Sequence, residues 1–362
     1  MNFIKSIFII SIVFAFSAHS QIAYLSAYNG QVYKYSKLKS FKIIESRFIE
    51  NMDMIYTKEK SQVALNYIPS SNLNAKVILD ENTKVNFISY IQKLENKEQH
   101  INTLNLIQGS VEIYYIAPAK SNELFFIRYK DYLIIPKAGS MFYFATGILN
   151  DDFIVIPTIG MVEVIKYDGT RVATNGIAVE NKNNKITNLD VEKGMEKSML
   201  YIWLEQQEKR IMNNFINEYK DQLNKYLYLK EQFNKVYDVL LNEDNDTLAR
   251  WNQEFDRGNL KDLLALEKDQ ELSTTLNKNL AYLTKVLLLF ESNYNSLMSI
   301  YNSLREISLS LNEVEINNLQ NNIIPILDTD RFFLNKRMMD AKYILNIYSK
   351  LNNNYLPIEF SN

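Results

Sequence analysis

The chain has 362 residues, with 40 basic and 42 acidic side chains, a formal charge of −2, two histidines and no cysteine. The balanced charge argues against a nucleic-acid partner, which calls for a basic face. The lack of cysteine excludes disulfides, thiolate metal sites and a lipid-bearing cysteine.

Residues 1–20 read as a secretory signal peptide. Lys5 supplies the positive charge, Ile7 to Phe16 the apolar stretch, and Ala18-His19-Ser20 the small residues that a signal peptidase reads. Cleavage is predicted after Ser20, which implies a periplasmic or extracellular mature chain with no stable membrane span. An uncleaved anchor is the alternative, although the apolar stretch is short for a span of roughly 20 residues. After cleavage His100 is the remaining histidine. It lies in the polar run Glu95 to His100 and reads as a solvated loop residue.

From residue 21 to 187 strand signals recur at short intervals, with β-branched and aromatic residues alternating with polar ones. They cover Ile22–Tyr28, Gln31–Tyr35, Phe41–Ile44, Gln62–Ile68, Lys76–Leu79, Lys84–Ile91 and Thr103–Ile107. Further signals follow at Ser110–Ile116, Leu124–Tyr129, Tyr132–Ile135, Met141–Thr146 and Phe153–Ile156, then at Met161–Tyr167, Thr170–Thr174 and Gly176–Val179. Val111-Glu112-Ile113 and Val162-Glu163-Val164 each place a Glu on the wet side of a strand. Asp168-Gly169 marks a hairpin turn. Leu106 to Ile113 echoes Pro157 to Val164, with a Gly before Val-Glu in both, as in similar turn-strand units stacked in one sheet system. Many short strands without intervening helices predict a sandwich, a roll or a solenoid-like domain.

Several of these motifs together resemble the FecR-type domain of periplasmic sensors and secreted bacterial proteins. Gly30-Gln31-Val32 matches its opening Gly-x-Val, and Met52-Asp53-Met54-Ile55-Tyr56-Thr57 matches its Gly-Asp-x-apolar-x-Thr with Met52 in place of Gly. Val77 to Val85 falls where that family has a polar-tipped hairpin. Leu106 to Val111, Ala138 to Phe144, Gly160 to Val164 and Thr174 to Val179 fall on its later landmarks. The resemblance covers roughly residues 28 to 180. It implies a β-fold that binds a protein or a cell-wall component, since the motifs are turn glycines and core residues rather than a catalytic centre. Only residues 1–5 precede the apolar run, so a sensor's cytoplasmic arm is not expected.

Near Asn188 the pattern changes. Of nine glycines only Gly194 and Gly258 lie beyond it, and of six prolines only Pro325 and Pro357. Residues 188–362 therefore read as a domain of long helices in an antiparallel bundle or coiled coil. Met212, Tyr219, Tyr226, Phe233 and Leu240 recur every seventh residue. Leu276, Leu280, Leu283, Leu287, Phe290, Tyr294, Leu297, Tyr301 and Leu304 alternate steps of four and three, which is an a/d seam. A third series runs Leu334, Met338, Ala341, Leu345 and Tyr348. Asn242 to Asp269 reads as short helices or a hairpin tip, with a solvated capping loop at Asn242 to Asp246. Trp203 is expected to pack the helix start against the β domain. The long seam helix is predicted to form an arm or stalk unless it folds back, and it could also support a homo-oligomer.

The fold expectation is α+β multidomain: a signal peptide at 1–20, a FecR-like β domain at 21–187 and an α-helical bundle at 188–362. The function expected is non-enzymatic recognition or scaffolding in the cell envelope, with an envelope protein or a cell-wall glycan as partner. The alternative is a peptidoglycan- or carbohydrate-active enzyme using a carboxylate pair. No catalytic, cofactor or metal residue is singled out by a motif.

Overall fold

The structure is a computed structural model that describes residues 21–36, 39–43, 47–67, 74–94, 97–116, 123–147, 151–166, 168–174, 176–257, 270–307, 314, 317 and 324–351. The expected signal peptide, the ends of the strand signals at Ile44, Ile68 and Tyr167, and the segment from Gly258 to Asp269 lie outside them. So does the tail from residue 352.

Among the described residues eighteen strands come first: β1 (Gln21–Asn29), β2 (Val32–Ser36), β3 (Lys39–Lys42), β4 (Phe48–Glu50), β5 (Met54–Thr57) and β6 (Gln62–Tyr67). They continue as β7 (Asn74–Leu79), β8 (Lys84–Leu94), β9 (Lys97–Gln108), β10 (Ser110–Ile116), β11 (Glu123–Tyr129) and β12 (Tyr132–Pro136). The last are β13 (Ser140–Thr146), β14 (Phe153–Ile159), β15 (Val162–Lys166), β16 (Arg171–Ala173), β17 (Ala178–Lys182) and β18 (Lys185–Leu189). They form two nine-stranded sheets, the first in the order β18-β17-β14-β13-β10-β7-β6-β1-β4 and the second in the order β16-β15-β12-β11-β9-β8-β5-β2-β3. The chain thus alternates between the sheets while advancing from one end of the sandwich to the other. The β9–β11 ladder is parallel, because β10 passes through the first sheet between them.

Alternating side chains meet between the sheets. Val63, Leu65, Val77, Leu79, Ile113 and Phe144 of the first sheet pack against Ile55, Val85, Phe87, Leu104, Phe125 and Ile127 of the second. The expected all-β domain is present, and three strands go beyond the sequence signals: β4, β5 and β18. Two expectations change. Val77 to Val85 is not a hairpin, because β7 lies in the first sheet and β8 in the second. His100 belongs to strand β9, opposite Ile91 and Glu123, and not to a loop.

Every passage between sheets takes backbone polar groups out of a ladder, and they need other partners. Buried hydroxyls supply many of them. Thr83 N–H donates to Thr57 Oγ1 at 2.9 Å, while Thr83 Oγ1 accepts from Ser110 N–H and donates to the Ser110 carbonyl, both at 3.0 Å. Gln31 N–H donates to Ser61 Oγ at 2.8 Å, Gly109 N–H to Thr146 Oγ1 at 3.1 Å and Val162 N–H to Thr174 Oγ1 at 3.0 Å. Ser140 Oγ donates to the Met161 carbonyl at 2.8 Å. Gly109 lies against this row with φ +96°, where a Cβ would come 2.6 Å from the Thr83 Cα. The two echo motifs both bend at such a corner, but Gly109 joins the second sheet to the first and Gly160 the first to the second.

The Gly-to-Met departure is resolved locally. Met52 has φ 67°, the left-handed conformation that a glycine adopts without cost. Its side chain is buried against the helices, and its N–H donates to the Phe87 carbonyl at 2.8 Å. Beside it, Asp53 accepts from Glu50 N–H at 2.8 Å and pairs with buried Lys34 at 3.3 Å.

The helices are α1 (Glu196–Glu243), α2 (Asn245–Asp256), α3 (Gln270–Ile307) and α4 (Ile324–Leu351). At 1.5 Å per residue α1 runs about 70 Å and α3 about 57 Å. α1 and α3 are antiparallel: Gln222 meets Asn293, Phe233 stacks on Phe290 at 5.0 Å, and Asn279 donates to Glu243. α4 runs alongside α1, with Asp330 at Tyr226 and Lys230 and Arg337 at Asp238. The seam positions Leu276 to Leu297 and Tyr219, Tyr226, Phe233 and Leu240 are buried within this one chain. The side chains of Met212, Tyr301 and Leu304 lie outside the described set.

The helices are not a free stalk. The bundle lies on the outer face of the second sheet, where Ile88, Tyr90, Ile101, Leu124 and Phe126 join the helical core. Polar groups bind the two halves as well. Buried Glu291 of α3 accepts from Asn86 Nδ2 at 2.6 Å and pairs with Lys342. Asn51 Nδ2 donates to Ser349 Oγ at 3.0 Å, and Asn346 Nδ2 donates to the Asn51 carbonyl at 3.0 Å. The start of α1 covers part of the first sheet instead. Leu200 and Trp203 pack on Ala145, Ile154, Ile156 and Ala178, and Trp203 Nε1 donates to Glu180 at 2.7 Å.

Replacing Thr83 by Val keeps the shape but strips the Ser110 N–H of its acceptor. Urea unfolding should register a loss of about 1–3 kcal/mol. Met52→Gly releases left-handed strain of about 1–2 kcal/mol but removes a buried side chain worth about 2–5 kcal/mol. The variant should therefore be less stable than the parent, and a stabilised variant would refute this account of the turn.

Candidate functional site

With the second sheet closed by helices, the first sheet keeps an outer face that is open among the described residues. Its register aligns one cross-strand row: Phe48 opposite Tyr24, Tyr24 opposite Asn66, Asn66 opposite Lys76, Lys76 opposite Tyr114, Tyr114 opposite Met141, and Met141 opposite Ile159. Local burial alternation points the first six side chains outward, and Ile159, past a register shift in the β13–β14 ladder, is exposed at the end of β14. At about 4.8 Å between strands, the row crosses seven of them over about 29 Å. Its apolar ends are open, with Phe48 at 49%, Tyr24 at 36% and Ile159 at 59% exposure, and Lys76 is exposed in the middle.

The polar groups of this face are already oriented. Asn66 Nδ2 donates to the Tyr24 hydroxyl at 3.2 Å, and the Lys76 ammonium sits 5.6 Å from the Tyr114 ring centre. The Tyr114 hydroxyl donates to Glu112 at 2.6 Å. Burial, reinforced by Glu112, pushes the Tyr114 and Tyr143 phenols up to about 12, so both remain donors at neutral pH. In the neighbouring row Glu112 stands between Ile78 and Tyr143, and Tyr143 leads into the patch beneath Trp203. The face is aromatic and hydrogen-bonding, and α1 limits it on one side.

A second polar assembly joins the sandwich to the helices. The two-residue turn between β11 and β12 places Lys130 at φ 50°, with its ammonium 5.2 Å from the Tyr129 ring centre. Lys130 pairs with Asp151 at 2.7 Å, and Lys225 of α1 reaches the other oxygen of Asp151 at 3.3 Å. Burial raises the Asp151 pKa, but the two lysines and their hydrogen bonds outweigh it and bring the carboxyl down to about 2. Asp152 next to it pairs with Arg210 and accepts from Asn183 N–H at 2.9 Å, yet burial moves its pKa upward. Beside this clasp lies a cleft of about 210 Å³ between the Lys130–Asp131 turn and the helices α1 and α3.

No motif in the sequence singled out a site residue, and both regions depend on register and helix docking, which are tertiary. Asp151 and Asp152 are the adjacent carboxylates whose pKa values diverge most clearly. Both are tied to basic side chains, a structural role between sheet and helix. Among the described residues no helix is long and apolar enough to cross a membrane.

Asp151 contributes stability that is present above its ordinary value of 3.8 and is lost as pH falls towards about 2. With Lys225 partly exposed, Asp151→Asn should lower stability at neutral pH by about 1–2 kcal/mol. Denaturation curves at stepwise lower pH should show the gap between parent and variant closing across that window. A gap that does not change with pH would contradict the assignment.

No family model matches the chain, and no curated protein does. Two crystal structures from Parabacteroides distasonis, each provisionally named an anti-sigma factor, resemble it. One overlaps with a TM-score of 0.31 at 15% identity, covering 41% of this chain and 64% of the other. The second overlaps with a TM-score of 0.24 at 14% identity, covering 40% and 58%. The chain spans less than two thirds of the length of either, and neither overlap is close enough to establish a common fold.

Proposed function

We propose that the chain is a non-enzymatic recognition or scaffold protein of the bacterial cell envelope, a FecR-like β sandwich backed by helices. Its partner is a cell-wall glycan strand laid across the open face of the first sheet. The observation that supports this reading is the row from Phe48 to Ile159. It offers aromatic and apolar surfaces for sugar rings, with Asn66 and Lys76 among them and Glu112 in the adjacent row as hydrogen-bonding groups. The leader-like residues 1–20 and the Gly-x-Val landmarks point the same way. A row running across seven strands suits an extended polymer better than a compact small molecule, which calls for a concave pocket. The helical seam is filled within the chain, so self-association through the helices is not part of the reading.

Co-sedimentation with purified insoluble cell-wall material tests it. The parent protein should be retained. Tyr24→Ala combined with Tyr114→Ala should weaken retention by about tenfold, the loss of two aromatic contacts at about 0.5–1.5 kcal/mol each. Unchanged retention in a double variant that still melts cooperatively would overturn the proposal, and so would retention only in the presence of an envelope protein.

A further inference from the structure

We propose that the side of the α1–α3 pair turned away from α4 is a docking groove for a helix of another protein, amphipathic and with acidic residues flanking its apolar stripe. α4 meets α1 at Tyr226, Lys230 and Asp238. Tyr228, Gln232, Val236 and Val239, at steps of four, four and three, form the opposite side of α1. On α3, Tyr282, Val286 and Leu289 repeat the four-three spacing, while Glu291 pairs with Lys342 of α4 on the other side. Two hydrogen bonds, from Asn293 to Gln222 and from Asn279 to Glu243, hold the rows side by side. Val236 and Val286 are buried at the floor of the strip, whereas Tyr228 and Tyr282 are 62% and 50% exposed. From Tyr228 to Val239 the strip runs about 16 Å along α1, and the cleft beside the Lys130–Asp131 turn lies at its Tyr228 end.

Shape and charge select the occupant. α1, α3 and α4 fill three places of a helical bundle, and the strip runs along the helices where a fourth would lie. Its apolar side chains suit anchors spaced i, i+3, i+4 and i+7 on an incoming helix. The cleft of about 210 Å³, lined by Leu229, Leu289 and the Tyr228 ring, takes one large apolar anchor. Between its ends the exposed charges of the strip are lysines. Lys278 and Lys285 flank Tyr282 at i−4 and i+3, and Lys235 lies four residues before Val239. Glu231 shares the face of Asp238, seven residues on, which pairs with Arg337 of α4. Asp131, Asp221 and Glu243 stand at the ends. Acidic flanks on the incoming helix therefore meet opposite charge, and basic flanks are repelled. A second copy pairing through the same strip would set lysine against lysine. The groove is separate from the sheet face and does not depend on the glycan reading.

Fluorescence anisotropy with the purified full chain tests the proposal, using three labelled helix-forming peptides of about five turns. The first carries Leu at i, i+3, i+4 and i+7 spacing with Glu flanks. The second has the same Leu stripe with Lys flanks, and the third has the composition of the first in scrambled order. The Glu-flanked peptide should bind saturably at micromolar concentration, and the other two about tenfold more weakly or worse, a difference of about 1.4 kcal/mol. Tyr228→Glu combined with Tyr282→Glu should weaken the Glu-flanked peptide by about tenfold or more. Lys235→Glu combined with Lys285→Glu should reverse the preference, so that the Lys-flanked peptide binds more tightly. All four positions are exposed, and cooperative melting checks that each double variant is folded. The proposal fails if no peptide binds, if the scrambled or Lys-flanked peptide binds the parent as well as the first does, or if either folded double variant behaves like the parent. It also fails if sedimentation shows a dimer that Tyr228→Glu with Tyr282→Glu dissociates, since the face then belongs to a second copy.

Discussion

The architecture depends on how the chain leaves one sheet and enters the other. Each such corner removes N–H and C=O groups from their ladders in a place closed to water. The buried hydroxyls of Thr57, Ser61, Thr83, Ser140, Thr146 and Thr174 stand where these groups are left over, and Thr83 serves two corners together by accepting and donating at Ser110. A hydroxyl suits this task because it both donates and accepts, and it rotates to suit its neighbours. The positive-φ glycines beside this row let the backbones approach closely enough for these bonds to form.

The two sheets meet different fates on their outer faces. The second receives the helical bundle through an interface that is partly apolar and partly ionic, with Glu291 between Asn86 and Lys342. Burial lowers the pKa of Lys84 at the edge of this interface, and nearby Glu291 works against that shift. Polar contacts of this kind demand one arrangement, because a helix displaced by one turn would strand charged groups away from water. Among the described residues the first sheet receives only the start of α1. The asymmetry leaves one broad surface where aromatic side chains face solvent, and it limits where a partner can sit.

Much of this was legible in the residues. Alternation located most of the strands, and the four-three spacing from Leu276 onwards identified a seam that is buried in the structure. Three strands escaped notice for physical reasons. β4 has only three residues, β5 follows a left-handed turn at Met52 with no glycine to mark it, and β18 is an edge strand of largely polar residues. The docking of the helices also left a trace: Phe87, Ile88, Tyr90 and Ile91 run almost without a polar residue, as a strand covered on both faces does. The cross-strand row was not legible, because which residues stand opposite one another depends on register.

The alternating march of strands bears on how the molecule assembles. Most sheet neighbours are close in sequence, so a chain emerging with its N-terminus first can add strands at one growing end of the sandwich without waiting for distant segments. Loop closure is then a series of small steps rather than one large one. The helices cannot join in this way, because Asn346 meets Asn51 across 295 residues. Until α3 and α4 arrive, the apolar outer face of the second sheet, with Ile88, Tyr90 and Ile101, stays uncovered. That interval is when the chain is most exposed to aggregation, and a holdase would have its surface to grip there.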